Sequence, residues 1–514
     1  PTVIAKRMLT DMKIDLAEVK AKRVNLNPQE LGDAFERARQ WQQWQTNPVF
    51  DHDELNKMTR EGLEKLVSMQ NHDGGWGWFS GFGEKSYPHT TAVVMHGLLV
   101  GRSIGAETGD SVYATGLSWL KDYERNEVAA LKRYDERQEK LKNGLKPEPP
   151  TLPEKAEPDA LDAFVRQVLG QAETDNPEMV DLLFRDRVDL PVYGQVLLAI
   201  ELHRLKDAAR RDEAMATISQ FVKRDAENQT VFLDLKNGAF WWNWYGGEVE
   251  ANAWYLKLLS AVKPADADTR GLAKYLVNNR KGGSHWTSTR DTALAIEALA
   301  DYVKASGEGT PEMEVEVLVD GKSVGTTTIQ RDNLFSFDGT VVLSGKSIAP
   351  GKHEIEIRRN GSGTLYANAY LDVFTLEDRF KSTGLEVKVK RRISKIIAET
   401  KETKTPDQSG IVTSVVGNKE RRELLADGAA VASGDRIEVE LIFESKNDCE
   451  YLIFSDAKAA GFEAVDVLSG YVSSGNLAAY MEPKDRSVDF FIRSLPRGTH
   501  VLRYELRAES PGTY

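Results

Sequence analysis

The sequence predicts a multidomain α-then-β chain, an α/α toroid followed by antiparallel β-sandwich domains. Three observations predict it: helical periodicity gives way to alternation near residue 306, glycine–tryptophan turns recur ahead of Ala/Leu-rich helices, and hairpin turn signals crowd the second half.

The helical part comes first. In DTALAIEALADYV, the apolar residues Ala293, Ile296, Ala300 and Val303 fall at helical spacing, and Val128 to Lys142 has helix-forming composition. Leu145 to Pro158 (LKPEPPTLPEKAEP) is proline-rich and cannot continue a helix, so it predicts a surface excursion between helices. Asp51-His52-Asp53 reads as a solvated helix start with Asp as N-cap.

The repeat has three copies. Gly74 to Phe79 (GGWGWF) leads into Thr91 to Leu99, Gly238 to Trp244 (GAFWWNW) into Asn252 to Leu259, and Gly282 to Trp286 (GGSHW) into Thr292 to Leu299. Each time glycine permits a tight turn, a tryptophan follows, and a small-residue helix begins. Such a unit cannot bury its own apolar face, and the economical arrangement is a ring of helical hairpins.

Strands follow. Glu312 to Val319, Lys352 to Ile357, Ile437 to Phe443 and Val501 to Leu506 alternate with period two, punctuated by Asp320-Gly321, Asp338-Gly339 and Asn360-Gly361. Helices first and strands afterwards, without interleaving, argue for separate all-α and all-β domains. Lys401 to Ser409 (KETKTPDQS) is polar and is expected to break the strand pattern between two β regions.

Composition narrows the function classes. No apolar run reaches the roughly 18 residues of a membrane span. With 79 acidic against 67 basic side chains, the net charge of −12 works against nucleic acid, and the basic run Lys388 to Lys395 is expected to be a solvated strand face. The single cysteine, Cys449, excludes an internal disulfide framework and a Cys-rich metal site. The histidines form no H-E-x-x-H, Asp51-His52-Asp53 lacks the rest of a calcium loop, and Gly321-Lys322-Ser323 and Gly345-Lys346-Ser347 are turns rather than P-loop ends. No cofactor or metal is implied.

Gln70 to Phe79 (QNHDGGWGWF) followed by Tyr87 to Leu98 (YPHTTAVVMHGL) resembles the thioester-containing domain of bacterial α2-macroglobulin-like proteins. Trp286 to Leu299 is similar to that domain's last helical pair, and Tyr480 to Leu506 to the family's terminal macroglobulin-like domain. Terpenoid cyclases build similar toroids, and Gln70, Asp73 and Trp76 fit their Q-x-x-D-G-x-W repeat, so this motif speaks to fold. No D-x-D-D acid donor accompanies it. The structural motif of the toroid comprises Gln70, Asp73, Gly74, Gly75, Trp76, Trp78, Trp244 and Trp286.

The resemblance implies three domains: 1–308 a thioester-type toroid, 309–378 the second half of a CUB-like β domain, and 379–514 a terminal macroglobulin-like sandwich. Half a CUB-like domain would leave strand edges exposed. It implies a protease trap rather than an enzyme, with target proteases as partners and a cell-envelope, periplasmic or secreted location. The chemistry needs a Cys–Gln thioester in a C-x-E-Q stretch; Cys449 lies in C-E-Y-L and does not match. In the family that stretch precedes a segment like Pro1 to Met12, so the thioester is expected just upstream of Pro1, the start reading as a cut in a longer chain. In complement relatives a histidine directs acyl transfer. Here Tyr87 and His89 are the thioester-proximal candidates; the alternative for His89 is a helix-start histidine bonded to local backbone.

Two other readings remain open. One is a carbohydrate-active enzyme of the polysaccharide lyase type, using Tyr87, His89 and Trp244. The other is a thioester-less adhesion or scaffold module. The cluster Trp241, Trp242, Trp244 and Tyr245 would then be a sugar platform rather than packing.

Overall fold

This computed structural model describes residues 52–513 apart from 80–82, 104, 107, 236–245, 282–284, 335–336, 373, 375, 377–383, 385 and 407–411. The expectations placed on Pro1 to Met12, Asp51, the aromatic cluster with Trp244, and Gly282-Gly283 lie outside the described residues. Two compact units divide the chain: the first runs to Val277 and resumes over His285–Tyr370, and the second comprises Asn278–Ser284 and Leu371–Tyr514.

The first unit opens with α1 (His52–Ser68), α2 (Pro88–Ser103), α3 (Asp110–Lys142), α4 (Ala160–Gln171), α5 (Pro177–Arg185), α6 (Val192–Arg204) and α7 (Ala208–Ile218). It continues through α8 (Glu248–Val262), α9 (Ala267–Asn278) and α10 (Thr289–Ser306). Side-chain caps start several of these helices. Asp159 and Asp162 form a reciprocal box ahead of α4, Asn176 caps α5 with Pro177 at its first position, and Ser288 accepts from the Asp291 N–H at the start of α10. Gly307, at φ 75°, ends α10 in the left-handed region.

Two classes of helix result. In α4, α6 and α8 apolar residues occur on nearly every face, and the helices are correspondingly enclosed: Val165, Val168, Val196, Ala199, Ala251 and Leu256 have no exposed surface. The even-numbered helices are neighbours in sequence: α2 packs on α4, α4 on α6, α6 on α8, and α8 on α10. In addition, Val100 of α2 packs with Ala293 of α10.

An all-helical first half needs one correction. A hairpin, β1 (Val222–Asp225) and β2 (Thr230–Leu233), interrupts the helices. Asp225 accepts hydrogen bonds from the Glu227 and Asn228 N–H groups, closing a turn the sequence reading missed, and Val231 and Leu233 are buried. Gly271 of α9 makes the close approach possible: a Cβ there would sit 2.7 Å from a Val231 methyl.

A three-stranded antiparallel sheet follows in the same unit, ordered β4 (Lys322–Gln330), β3 (Glu312–Val319), β5 (Ile355–Ser362). Met313, Val315 and Ile329 form its small core, whereas β5 is exposed along its whole length. Both G-K-S segments are turns: Gly321 in the β3–β4 hairpin, Gly345–Ser347 in a single 3₁₀ turn.

The second unit is a β-sandwich. Its five-stranded sheet runs β10 (Phe462–Ala464), β14 (Gly498–Ala508), β8 (Arg436–Ser445), β6 (Val387–Pro406), β7 (Val412–Leu424). The other sheet runs β11 (Gly470–Ser474), β12 (Leu477–Pro483), β13 (Ser487–Leu495), β9 (Cys449–Ala457). Alternate residues of β8, β12, β13 and β14 meet between them, including Val439, Phe443, Leu477, Phe490 and Leu502. The expected break at Lys401 to Ser409 is corrected in part, because β6 continues to Pro406, with Lys401 opposite Gly417 and Pro406 opposite Val412. Period-two pairing overrides polar composition there.

Candidate functional site

The turn after α1 is built from the motif residues. Gln70 Nε2 donates to the carbonyl oxygens of Gly74 (2.8 Å) and Val112 (2.9 Å), fastening the loop to α3. Asp73 accepts from the Gly75 N–H (3.1 Å), the Ser86 hydroxyl (2.6 Å) and the Trp119 indole (3.0 Å). Partial burial works against the Asp73 carboxylate, but these three donors hold its pKa below the usual range. Gly74 adopts φ 93°, and a Cβ on it would lie 2.9 Å from the Thr115 carbonyl.

Trp76 is the pin. Its indole N–H donates to the Leu66 carbonyl of α1 (2.8 Å), its backbone N–H to the Thr91 hydroxyl of α2 (2.9 Å), and its side chain is 2% exposed. Trp286 repeats the arrangement at the far end of the helical series, with its indole on the Leu276 carbonyl of α9 (3.0 Å) and its N–H on the Thr292 hydroxyl of α10 (3.0 Å). In both, the indole reaches back ten residues. That shared step, with a threonine in the next helix, was the signal available in the sequence for Thr91 and Thr292. Trp78 is 44% exposed and its N–H bonds Glu84, so it lies outside this pin.

Tyr87 and His89 stand where α2 begins. The Tyr87 N–H donates to the Trp76 carbonyl (2.9 Å), and its side chain is 43% exposed. The His89 ring lies against Phe164 of α4, centroids 5.6 Å apart. Burial first, and the positive charge of Arg290 second, push His89 down to about 4, so at neutral pH it is an uncharged imidazole. Arg290 of α10 pairs with Glu250 of α8 at 3.0 Å, and Glu250 also accepts from Tyr193 of α6 (2.9 Å) and the Gly246 N–H (2.8 Å). Burial dominates at Glu250, raising its pKa. The structure thus gathers His89, Arg290, Glu250 and Tyr193 from four helices, of which sequence reasoning named only His89.

No group of three or more His, Cys, Asp or Glu among the described residues could hold a metal ion. Cys449 is half-buried on β9, and burial raises its thiol pKa. It is a poor nucleophile as placed.

Residues 387–514, the β-sandwich, match the family model for the bacterial alpha-2-macroglobulin MG10 domain. A curated relative, the alpha-2-macroglobulin of Thermotoga maritima, is 25% identical over 306 residues, 59% of this chain. The β-sandwich is thus similar to the bacterial alpha-2-macroglobulin MG10 domain. The chain spans 15% of the length of the curated relative. Among solved alpha-2-macroglobulins, the trypsin-activated protein of Escherichia coli is 16% identical, with TM-score 0.41, covering 91% of this chain and 29% of its own. The native Escherichia coli structure from domain MG7 to the C-terminus is 16% identical, with TM-score 0.36, covering 99% and 70%. No helix among the described residues is long and apolar enough to cross a membrane.

Proposed function

We propose that this chain is part of a bacterial protease trap, a non-enzymatic inhibitor of broad endopeptidase range located in the cell envelope, periplasmic or secreted. The observation that carries the reading is the family match at residues 387–514, joined to a helical unit pinned alike at its two ends by Trp76 and Trp286. The partition we infer is 1–308, a thioester-type α/α toroid; 309–378, the second part of a CUB-like domain; and 379–514, the terminal macroglobulin-like domain.

What supports a toroid is the succession of polar ties between even-numbered helices. Arg166 of α4 meets Glu201 of α6 (3.2 Å), Tyr193 of α6 meets Glu250 of α8, Glu250 meets Arg290 of α10, and Glu297 of α10 returns to His96 of α2 (3.0 Å). That last tie joins the first even-numbered helix to the last. The exposed β5 strand supports a β domain completed by strands from outside this chain.

In this reading the thioester, encoded just upstream of Pro1, sits by Tyr87 and His89 and acylates a protease after bait cleavage. Neutral imidazole at His89 is the state that could accept an acyl group. The test is methylamine treatment of the full-length protein. A small amine opens an intact thioester and releases one thiol beyond Cys449; if none appears and protease inhibition is absent, only a scaffold role survives.

A further inference from the structure

The polar tie at His96 differs from the others because a single titratable ring makes both of its bonds. His96 lies midway along α2, with its ring between three other helices. Its Nδ1 is 2.8 Å from Oε1 of Gln171, the last residue of α4, and its Nε2 is 3.0 Å from Oε2 of Glu297 on α10. The ring also faces Trp254 of α8, centroids 5.7 Å apart. With oxygen acceptors at both nitrogens, only the doubly protonated imidazolium can donate to both.

The surrounding charges make the same demand. Lys257 of α8 bonds the other Glu297 oxygen at 2.9 Å and Asp301 of α10 at 2.5 Å. Side-chain exposure is 12% at His96, 13% at Lys257, 3% at Glu297 and 29% at Asp301. The groups acting on His96 are uncharged Gln171 from α4, cationic Lys257 from α8 and anionic Glu297 from α10, with Asp301 of α10 reaching Lys257. Losing the His96 proton removes one positive charge from beside the buried Glu297 carboxylate.

We propose that His96 is a proton-operated latch: as an imidazolium it ties α2 to α10 and to the end of α4, and losing its proton with rising pH loosens that contact. Burial alone would lower the His96 pKa, but Glu297 and Gln171 overcome it and hold it above the ordinary value. For a histidine raised on folding, the stabilisation is complete below the unfolded value and fades as pH climbs through the folded one. Alkaline conditions are thus the releasing direction. The proposal does not depend on the trap reading.

Two measurements on the whole chain test it. Labelling histidine at Cε1 and following the NMR titration should place the His96 midpoint above the ordinary 6.5. Amide hydrogen exchange in α2 and α10, corrected for intrinsic chemistry, should accelerate between about pH 6 and about pH 9, by roughly tenfold per unit of midpoint elevation. His96→Gln retains hydrogen bonding but not the charge, and its α2 and α10 exchange should already be fast at the lower pH and flat across the range. A midpoint below 6.5, or a variant whose exchange keeps the wild-type pH dependence, overturns the latch. The wild-type titration decides alone if the variant does not fold.

Discussion

The helical unit and the β-sandwich use charge in opposite ways. Between α3, α4 and α6, Arg166 lies at 1% side-chain exposure against Glu124 at 4% and Glu201 at 2%, while Asn176 donates to Glu124 and Arg166 also reaches the Thr174 carbonyl. On the outer face of the β6–β8–β14 sheet, Arg392 and Arg503 flank Glu440 at 60% and 49% exposure, and the core beneath is apolar. Helices rich in small residues leave room for long polar side chains to cross between them, so their mutual placement is held by buried ionic ties. A sandwich closed by interdigitating Val, Leu and Phe relies on them less: the Arg392–Glu440–Arg503 pairs face water, and Asp456, 7% exposed, is a buried exception held by Arg391 and Tyr504.

Arg166→Ala should have the largest effect that this contrast predicts. It leaves the buried Glu124 carboxylate with only Asn176 and Glu201 with Arg204, and should cost about 3–5 kcal/mol, read from the urea midpoint of the helical signal, with the sandwich transition unmoved. A loss under about 1 kcal/mol would erase the distinction between the two regions.

The pins come next. Thr91→Val and Thr292→Val each remove the acceptor of a tryptophan backbone N–H, buried at Trp76 and part-buried at Trp286, and should cost about 1–3 kcal/mol, with matching values establishing that the two ends are equivalent. Gly74→Ala, forced into a positive φ against the Thr115 carbonyl, should cost about 1–3 kcal/mol in the same assay.

The helical unit should also answer to acid at a higher pH than the sandwich face, where Lys390 holds Glu444 below the usual carboxylate range. His89 is held neutral, so its contribution is present above the unfolded value of 6.5 and is lost as pH falls toward about 4. Melting temperature should drop across that window, and His89→Phe should flatten the drop. The smallest effect belongs to Arg503→Ala, about 0–1 kcal/mol and shrinking with salt.

The sequence exposed the architecture better than the site. Trp76 and Trp286 announced themselves because glycine turns followed by indoles are rare in composition and repeat in order. The strands of the sandwich showed in strict alternation such as IEVELIF, where one face is buried. The hairpin at Val222–Leu233 was hidden by its shortness, since four-residue strands carry too few periods to stand out. Arg290, Glu250 and Tyr193 could not be linked to His89 from spacing, because they come from helices 40 to 57 residues apart. Their meeting is a product of how helices pack.

Cys449 gives the chain a built-in reporter. As the sole sulfhydryl, half-buried at the start of β9, it should react with a maleimide more slowly than an exposed thiol and faster when that strand lets go of β13, so a change in labelling rate reports on how the sandwich breathes. It also sets the baseline for counting sulfur chemistry in any longer protein carrying this segment, since whatever reacts faster must come from elsewhere in that protein.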